Sequence, residues 1–406
     1  MTLNKMGRRA AKASVASILS LGMGLGLTAC TNDYTVAYLY VTTAKANPGL
    51  INGYKVDYQS GNLNTLADSP IPSGGRNPVT IVAAPGGKAV YSFNRDDSSV
   101  VFFAIGTDGK LYPQATYNIR GSFATAAAID SAGKFLYVTF TYQNNPDGSQ
   151  LYTPANPGPG GISIFSINAD GSLVPLPATQ NQNVGRNPIG ITARNNFVYV
   201  IEQDASSTAN LLGFSADPTT GLLTPLPGVT INPGNVSSTG FPTGTTPSGI
   251  IEDSSSAHLY LTDQTANTVT GYSIAANGVP TKIGNGTATD SGPTGMSFDL
   301  TGKFLYVANY TAGTVGGYTI AADGEPVTST VAASVQAGSG PTCITVVGAP
   351  TATAAHAVYL YTSNALSNTV SGMQLDPTDG SLRQIQNTPF TASTLPTCLV
   401  TVPAVH

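Results

Sequence analysis

KFLYVANYTAGTVGGYTIAADG, residues 303–324, reads as two short strands joined by a polar turn, the second strand ending at a Gly-bearing turn. HLYLTDQTANTVTGYSIAANG (258–278) and LYTSNALSNTVSGMQLDPTDG (360–380) align to it without gaps through their second strands. The shared landmark is a tyrosine in the first strand. Tyr40, Tyr91, Tyr137, Tyr199, Tyr260, Tyr306 and Tyr361 fill that place, and they recur about every 54 residues, the spacing of four-stranded propeller blades.

Working outward from the tyrosine, each copy begins with a Pro-led strand (NPVTIVAA, TPSGIIED, GPTGMSFD) and a tight turn. After the tyrosine strand comes a third strand ending at DG, NG or TTG, residues that supply the positive φ of a hairpin, and then a weaker fourth strand. No dozen residues of the mature chain carry a helical apolar face. The chain starts on a tyrosine strand (AYLYVTT) without its Pro-led partner, and it ends on an orphan Pro-led strand at Leu395–Val400. The last strand should therefore complete the first blade, giving an all-β, seven-bladed propeller of four-stranded antiparallel blades with no open edge.

The second residue after the Pro, or after its equivalent Ala124, is always small: Thr80, Ala126, Gly190, Gly249, Gly295, Cys343 and Cys398. This slot is expected to pack against the channel or the next blade. Cys343 and Cys398 hold it in adjacent blades, and an exported protein permits a disulfide. Equivalent positions should point the same way around the ring, however, so their Cβ vectors are not expected to converge, and the pair reads as two buried small residues.

Only 9% of the residues are charged, with 17 Lys and Arg against 21 Asp and Glu. There is no basic stripe to neutralise a phosphate backbone, so nucleic acid is excluded as a partner. The 45 Gly and 28 Pro show no three-residue period and suit turns. Lys5, Arg8, Arg9 and Lys12 precede an apolar run from Ala13 to Leu27 with the form of a secretory signal. The run is followed by Leu27-Thr28-Ala29-Cys30, which resembles the bacterial lipobox. The division expected is a signal peptide over 1–29, lipidated Cys30 with a short tether to 34, and one propeller over 35–406. Thr31 stands where an Asp would mark inner-membrane retention, so the outer membrane is the expected location in a diderm cell.

The repeat FLYVANYTAGTVGGYTI and its partners resemble the YVTN-repeat or lactonase-type seven-bladed propellers, a group that includes 6-phosphogluconolactonases. In the enzymes resembled, His and Arg of segments such as GPRH and GCH face the channel mouth. The corresponding segments here are GRNP (75–78), GRNP (185–188), GTTP (244–247) and SGP (291–293), and none contains His. His258, His356 and His406 lie elsewhere, so a nucleophile–His device has no base, and no His or Cys pair has metal-ligand spacing. No cofactor or metal is expected.

The candidate site is the mouth, where the loops after the tyrosine strands emerge. Three residues past each anchor stand Thr43, Asn94, Phe140, Glu202, Asp263, Asn309 and Asn364, read as a ring at that face or as turn caps. Arg76 and Arg186 precede inner strands there and suit a carboxylate or phosphate. Tyr142 and Tyr152 lie in the long loop 141–160 and suit a sugar or peptide. The ligand-binding set is thus Arg76, Arg186, Asn94, Asn309, Asn364, Tyr142 and Tyr152. The function expected first is an envelope-anchored, non-catalytic binding or scaffolding propeller for a protein, peptide or glycan. The alternative is a lactone hydrolase in which Glu202 or Asp263 activates water and Arg76 or Arg186 stabilises the oxyanion.

Overall fold

The computed structural model describes residues 35–145, 149, 151–177, 182–203, 210–231, 238–329, 333–348 and 358–404. Every regular element among them is a strand, and the strands form a seven-bladed β-propeller. Blade 2 is the plainest: Pro78–Ala83, Ala89–Asn94, Ser99–Ile105 and Leu111–Asn118 pair in sequence order, all antiparallel. In the other six the outer strand is interrupted. In blade 6, for example, Pro326–Thr328 and Val335–Gln336 pair with the two ends of Thr314–Ile320. Breaking the outermost strand shortens the exposed edge that another chain could pair with.

The ring closes as the termini predict. Pro396–Pro403 lies antiparallel to Thr35–Thr43 and forms the inner strand of blade 1, with Leu50–Asp57 and Leu63–Thr65 outside it. Buried side chains form seven apolar clusters, one per contact between neighbouring blades; Tyr199 and Ile201 of blade 4, for instance, pack with Leu259 and Leu261 of blade 5.

The anchor tyrosine explains the repeat. Its hydroxyl donates to the carbonyl of the turn glycine in the next blade: Tyr40 to Gly109 at 2.6 Å, Tyr91 to Gly171 at 2.7 Å, Tyr199 to Gly278 at 2.6 Å, Tyr306 to Gly380 at 2.8 Å. Tyr137 reaches Gly221 and Tyr361 reaches Gly61 in the same way. Burial pushes all these phenols well above their ordinary pKa. The turn residue is Gly for two reasons visible at Gly380: its φ is +77°, and a Cβ there would overlap the Phe304 ring.

A second tie was not foreseen. The pairing register slips at the residue after each inner-strand Pro, which marks a β-bulge. In four blades that residue is Ser or Thr, and its hydroxyl crosses to the next inner strand. Ser248 donates to the Pro293 carbonyl at 2.6 Å, Thr294 to Pro341 at 3.1 Å, Thr342 to Thr397 at 2.9 Å, and Thr397 to Pro78 at 2.8 Å.

The expectation for the cysteines is corrected. Cys343 and Cys398 form a disulfide, with their Cα atoms 4.9 Å apart. Near the axis the small slot of one blade abuts the backbone of the next: a Cβ on Gly295 would meet the Thr342 carbonyl and the Cys343 Cα. At that separation the two side chains can bridge although they hold equivalent positions in neighbouring blades. The bridge ties the last strand, which closes the ring, to blade 7.

Candidate functional site

The loops after the tyrosine strands and those entering the inner strands lie at the same end of the blades and frame the channel mouth. The residues three past the anchors do not face it. Thr43, Asn94, Phe140, Glu202, Asp263, Asn309 and Asn364 are all buried, none more than 5% exposed. Asn94 accepts from Ser73 Oγ at 2.9 Å, Asn309 donates to Thr314 at 3.2 Å, and Asn364 donates to Thr369 and Ser371 at 3.0 Å. Asp263 accepts the backbone N–H groups of Thr246, Thr265 and Ala266 at 3.0, 3.0 and 2.8 Å, and Glu202 accepts from Asn210 and Ser238.

The mouth is set one residue later. Strand side chains alternate faces, so a single step moves a residue from the blade interior to the loop. Ala44, Arg95, Gln203, Gln264, Tyr310 and Ala365 each donate their backbone N–H to the residue just before an inner strand, respectively Leu395, Asn77, Asn187, Thr246, Gly292 and Gly340. In blade 3 the Thr141 hydroxyl makes the corresponding bond to the Phe123 carbonyl, at 3.3 Å. Most of the second set hold positive φ: Asn77, Phe123, Asn187, Gly292, Gly340 and Leu395.

The arginines expected to act together are held separately. Arg76 grips Asp97, Nε to Oδ1 at 2.7 Å and backbone N to Oδ2 at 2.6 Å. That pairing raises the Arg76 pKa and lowers the carboxyl's. Arg186 reaches the Pro157 carbonyl at 3.4 Å and so braces the 141–160 loop. Tyr152 packs on Gly158 within the same loop.

A different constellation lies between blades 2 and 3. The Arg95 guanidinium is over the Phe123 ring at 5.5 Å, and Tyr142 meets that ring edge-on at 5.7 Å. Phe123 has φ +64°, a conformation bulky residues rarely adopt. Arg95 and Phe123 were missed because they occupy positions that the other blades fill with unremarkable residues; aligning all seven mouth positions would have exposed them. Across the ring, a cleft of about 400 Å³ between blades 6 and 7 is lined by Tyr310, Leu366 and Gly-rich backbone, with no charged side chain.

Blade 5 carries ionisable groups on the opposite face. Glu252 ends the inner strand Pro247–Glu252, in a slot held elsewhere by Ala83, Ile129, Ala193, Phe298, Val346 and Thr401. It is 4% exposed, and among the described residues neither carboxylate oxygen makes a full hydrogen bond. Burial raises its pKa to about 8, against the smaller opposing pull of Arg194 and Thr192. His258 stands where Phe135, Phe197 and Phe304 stand in other blades, with Nδ1 2.9 Å from Asp253. His356, His406 and Cys30 lie outside the described residues. Among the described residues no group of three His, Cys, Asp or Glu could hold a metal ion.

Residues 232–345 match the family described as Lactonase, 7-bladed beta-propeller. A presumed 6-phosphogluconolactonase from Bacteroides uniformis shares 16% identity, over 90% of this chain and 99% of its own, with a TM-score of 0.68. A second from Bacteroides fragilis shares 19%, over 92% and 99%, at 0.64. The periplasmic gluconolactonase of Pseudomonas aeruginosa shares 15%, over 91% and 99%, at 0.66. No curated protein matches the chain. The class defined by the fold is the seven-bladed propeller. Within that class, the stretch similar to the lactonase family covers blades 5 and 6 and enters blade 7.

Proposed function

We propose that the chain is an exported sugar-lactone hydrolase that takes its substrate at the channel mouth. The observation that carries this reading is the lactonase match over residues 232–345, supported by the fold shared with lactonase-named structures. The side chains of Gln203, Gln264 and Tyr310 supply donors for sugar hydroxyls, and the arginines of this face supply positive charge for the oxygen that gains charge when water adds to the lactone carbonyl. We place the protein in the envelope, cleaved after Ala29 and lipidated at Cys30. The sequence of that segment supports this, and the Cys343–Cys398 disulfide suits an oxidising compartment.

The test is hydrolysis of glucono-δ-lactone followed by proton release, corrected for spontaneous opening. Saturable turnover is expected, and Glu202→Gln should keep most of it, because that carboxylate is held inside blade 4 by Asn210 and Ser238. One observation favours a second reading, the non-catalytic binding propeller. Both carboxylates expected to activate water are already occupied, Asp263 by three backbone amides. Saturable ligand binding without turnover would select that reading. For the anchor, Cys30→Ser should move the protein from the membrane fraction to the soluble fraction.

A further inference from the structure

We propose that the blade 2–blade 3 sector of the mouth binds a carboxylate-bearing sugar, with Arg95 holding the acid group and Phe123 and Tyr142 receiving the apolar face of the ring. This rests on the proposed function only in placing a ligand at the mouth. Phe123 occupies a left-handed position that blades 2 and 4 fill with Asn77 and Asn187, and blades 6 and 7 with Gly292 and Gly340. Asn and Gly adopt that backbone readily, whereas a bulky side chain is strained there; besides Phe123, blade 1 places Leu395 in this conformation. The side chain is not compensated by deep burial: Phe123 is half-buried and belongs to none of the blade–blade clusters. It is instead fixed at the mouth, its N–H donating to Ser98 Oγ at 3.1 Å, while Ser122 and Asn144 bond at 2.7 Å on either side of the ring pair.

Arg95 is exposed, and among the described residues its guanidinium has no ion pair and no hydrogen bond. The adjacent acids do not claim it. Asp97 is taken by Arg76, and Asp96 Oδ1 lies 3.3 Å from Asn77 Nδ2. A guanidinium over an aromatic face keeps its N–H fork free in its own plane, which suits the two oxygens of a carboxylate. The lysine and arginines of the mouth-face loops, Lys45, Arg76, Arg95, Arg120 and Arg186, all belong to blades 1–4, where Asp96 and Asp97 also lie.

Isothermal titration with D-glucuronate and D-glucose tests the site in the wild type, Arg95→Gln and Phe123→Asn. Saturable glucuronate binding is expected, with glucose at least about tenfold weaker. Arg95→Gln should reduce glucuronate to the glucose level. Phe123→Asn installs the residue that blades 2 and 4 use, so its melting temperature should hold while glucuronate affinity falls about tenfold. Equal binding of the two sugars, no saturable glucuronate binding, or wild-type affinity in both variants overturns the proposal. Glucuronate binding without lactone turnover sinks the hydrolase and leaves this site standing. Turnover unchanged in both variants, without glucuronate binding, does the reverse.

Discussion

Blade 6 and blade 5 are neighbours built from nearly the same phrase, FLYVANYTAGTVGGYTI and HLYLTDQTANTVTGYSI, and they differ where the phrase carries the most physics. In blade 6, Phe304 packs on Gly380, Tyr306 bonds to the Gly380 carbonyl, and Phe298 fills the end of the inner strand. In blade 5 the same three places hold His258, Tyr260 and Glu252. His258 packs on Gly324, but Tyr260 Oη finds no hydrogen-bond partner among the described residues, and Glu252 is a buried acid in an apolar slot. Identical backbone pairing survives in both blades. The ring thus tolerates a defective joint as long as most of the seven are intact, because each joint is one of several parallel ties rather than a link in a single chain.

The largest break should come from adding a methyl where blade 6 leans on its neighbour. Gly380→Ala both forces an L side chain to φ +77° and drives its Cβ into the Phe304 ring. Left-handed strain and overpacking together should cost about 4 kcal/mol. Thermal unfolding should then fall on the order of 8 °C, at about 2 °C per kcal/mol for a domain of this size. A melting temperature within about 2 °C of wild type would mean that the turn relaxes and the glycine is not required by the ring.

The sequence reveals such joints through their spacing: tyrosine and glycine recur together, so the fold and its closure can be read before any coordinates. Parity at a strand end is harder. Asp263 and Gln264 are adjacent, yet one faces the blade interior and the other the mouth, and only the pairing partner, Pro247, fixes which. The arginines were recognisable as mouth residues, but not that Arg76 would be taken by Asp97, since that depends on loop shape rather than on pattern. The disulfide escaped for a related reason: the distance between inner strands near the axis is a metric fact, invisible in residue order.

A middle-sized effect should separate the two blades by pH. The folded-state pKa of Glu252, about 8, lies above the ordinary value of 4.5, so the native protein holds this proton more tightly than the unfolded chain. Stability linked to Glu252 is full below pH 4.5, declines as pH rises toward 8, and is lost above it. The amount is on the order of 3 kcal/mol, since each tenfold gain in proton affinity is worth about 1.4 kcal/mol and the surroundings relax around the charge. Urea midpoints of the wild type should fall between about pH 5 and pH 9, and those of Glu252→Gln should fall much less. Parallel profiles for the two proteins would show that the carboxylate is solvated in the native state.

The smallest effect sharpens the comparison most, because it removes a single oxygen from each blade. Tyr306→Phe deletes the 2.8 Å bond to Gly380 and leaves that carbonyl without its donor, which should cost about 1–2 kcal/mol. Tyr260→Phe deletes a buried hydroxyl that has no partner among the described residues, so it should be neutral or stabilise by up to about 1 kcal/mol. Chemical denaturation of the two variants side by side gives the difference directly, since the change in composition is the same. Equal losses would mean that Tyr260 also bonds across to blade 6, and that the seventh tie is made after all; opposite signs would establish that six of these bonds hold a seven-membered ring.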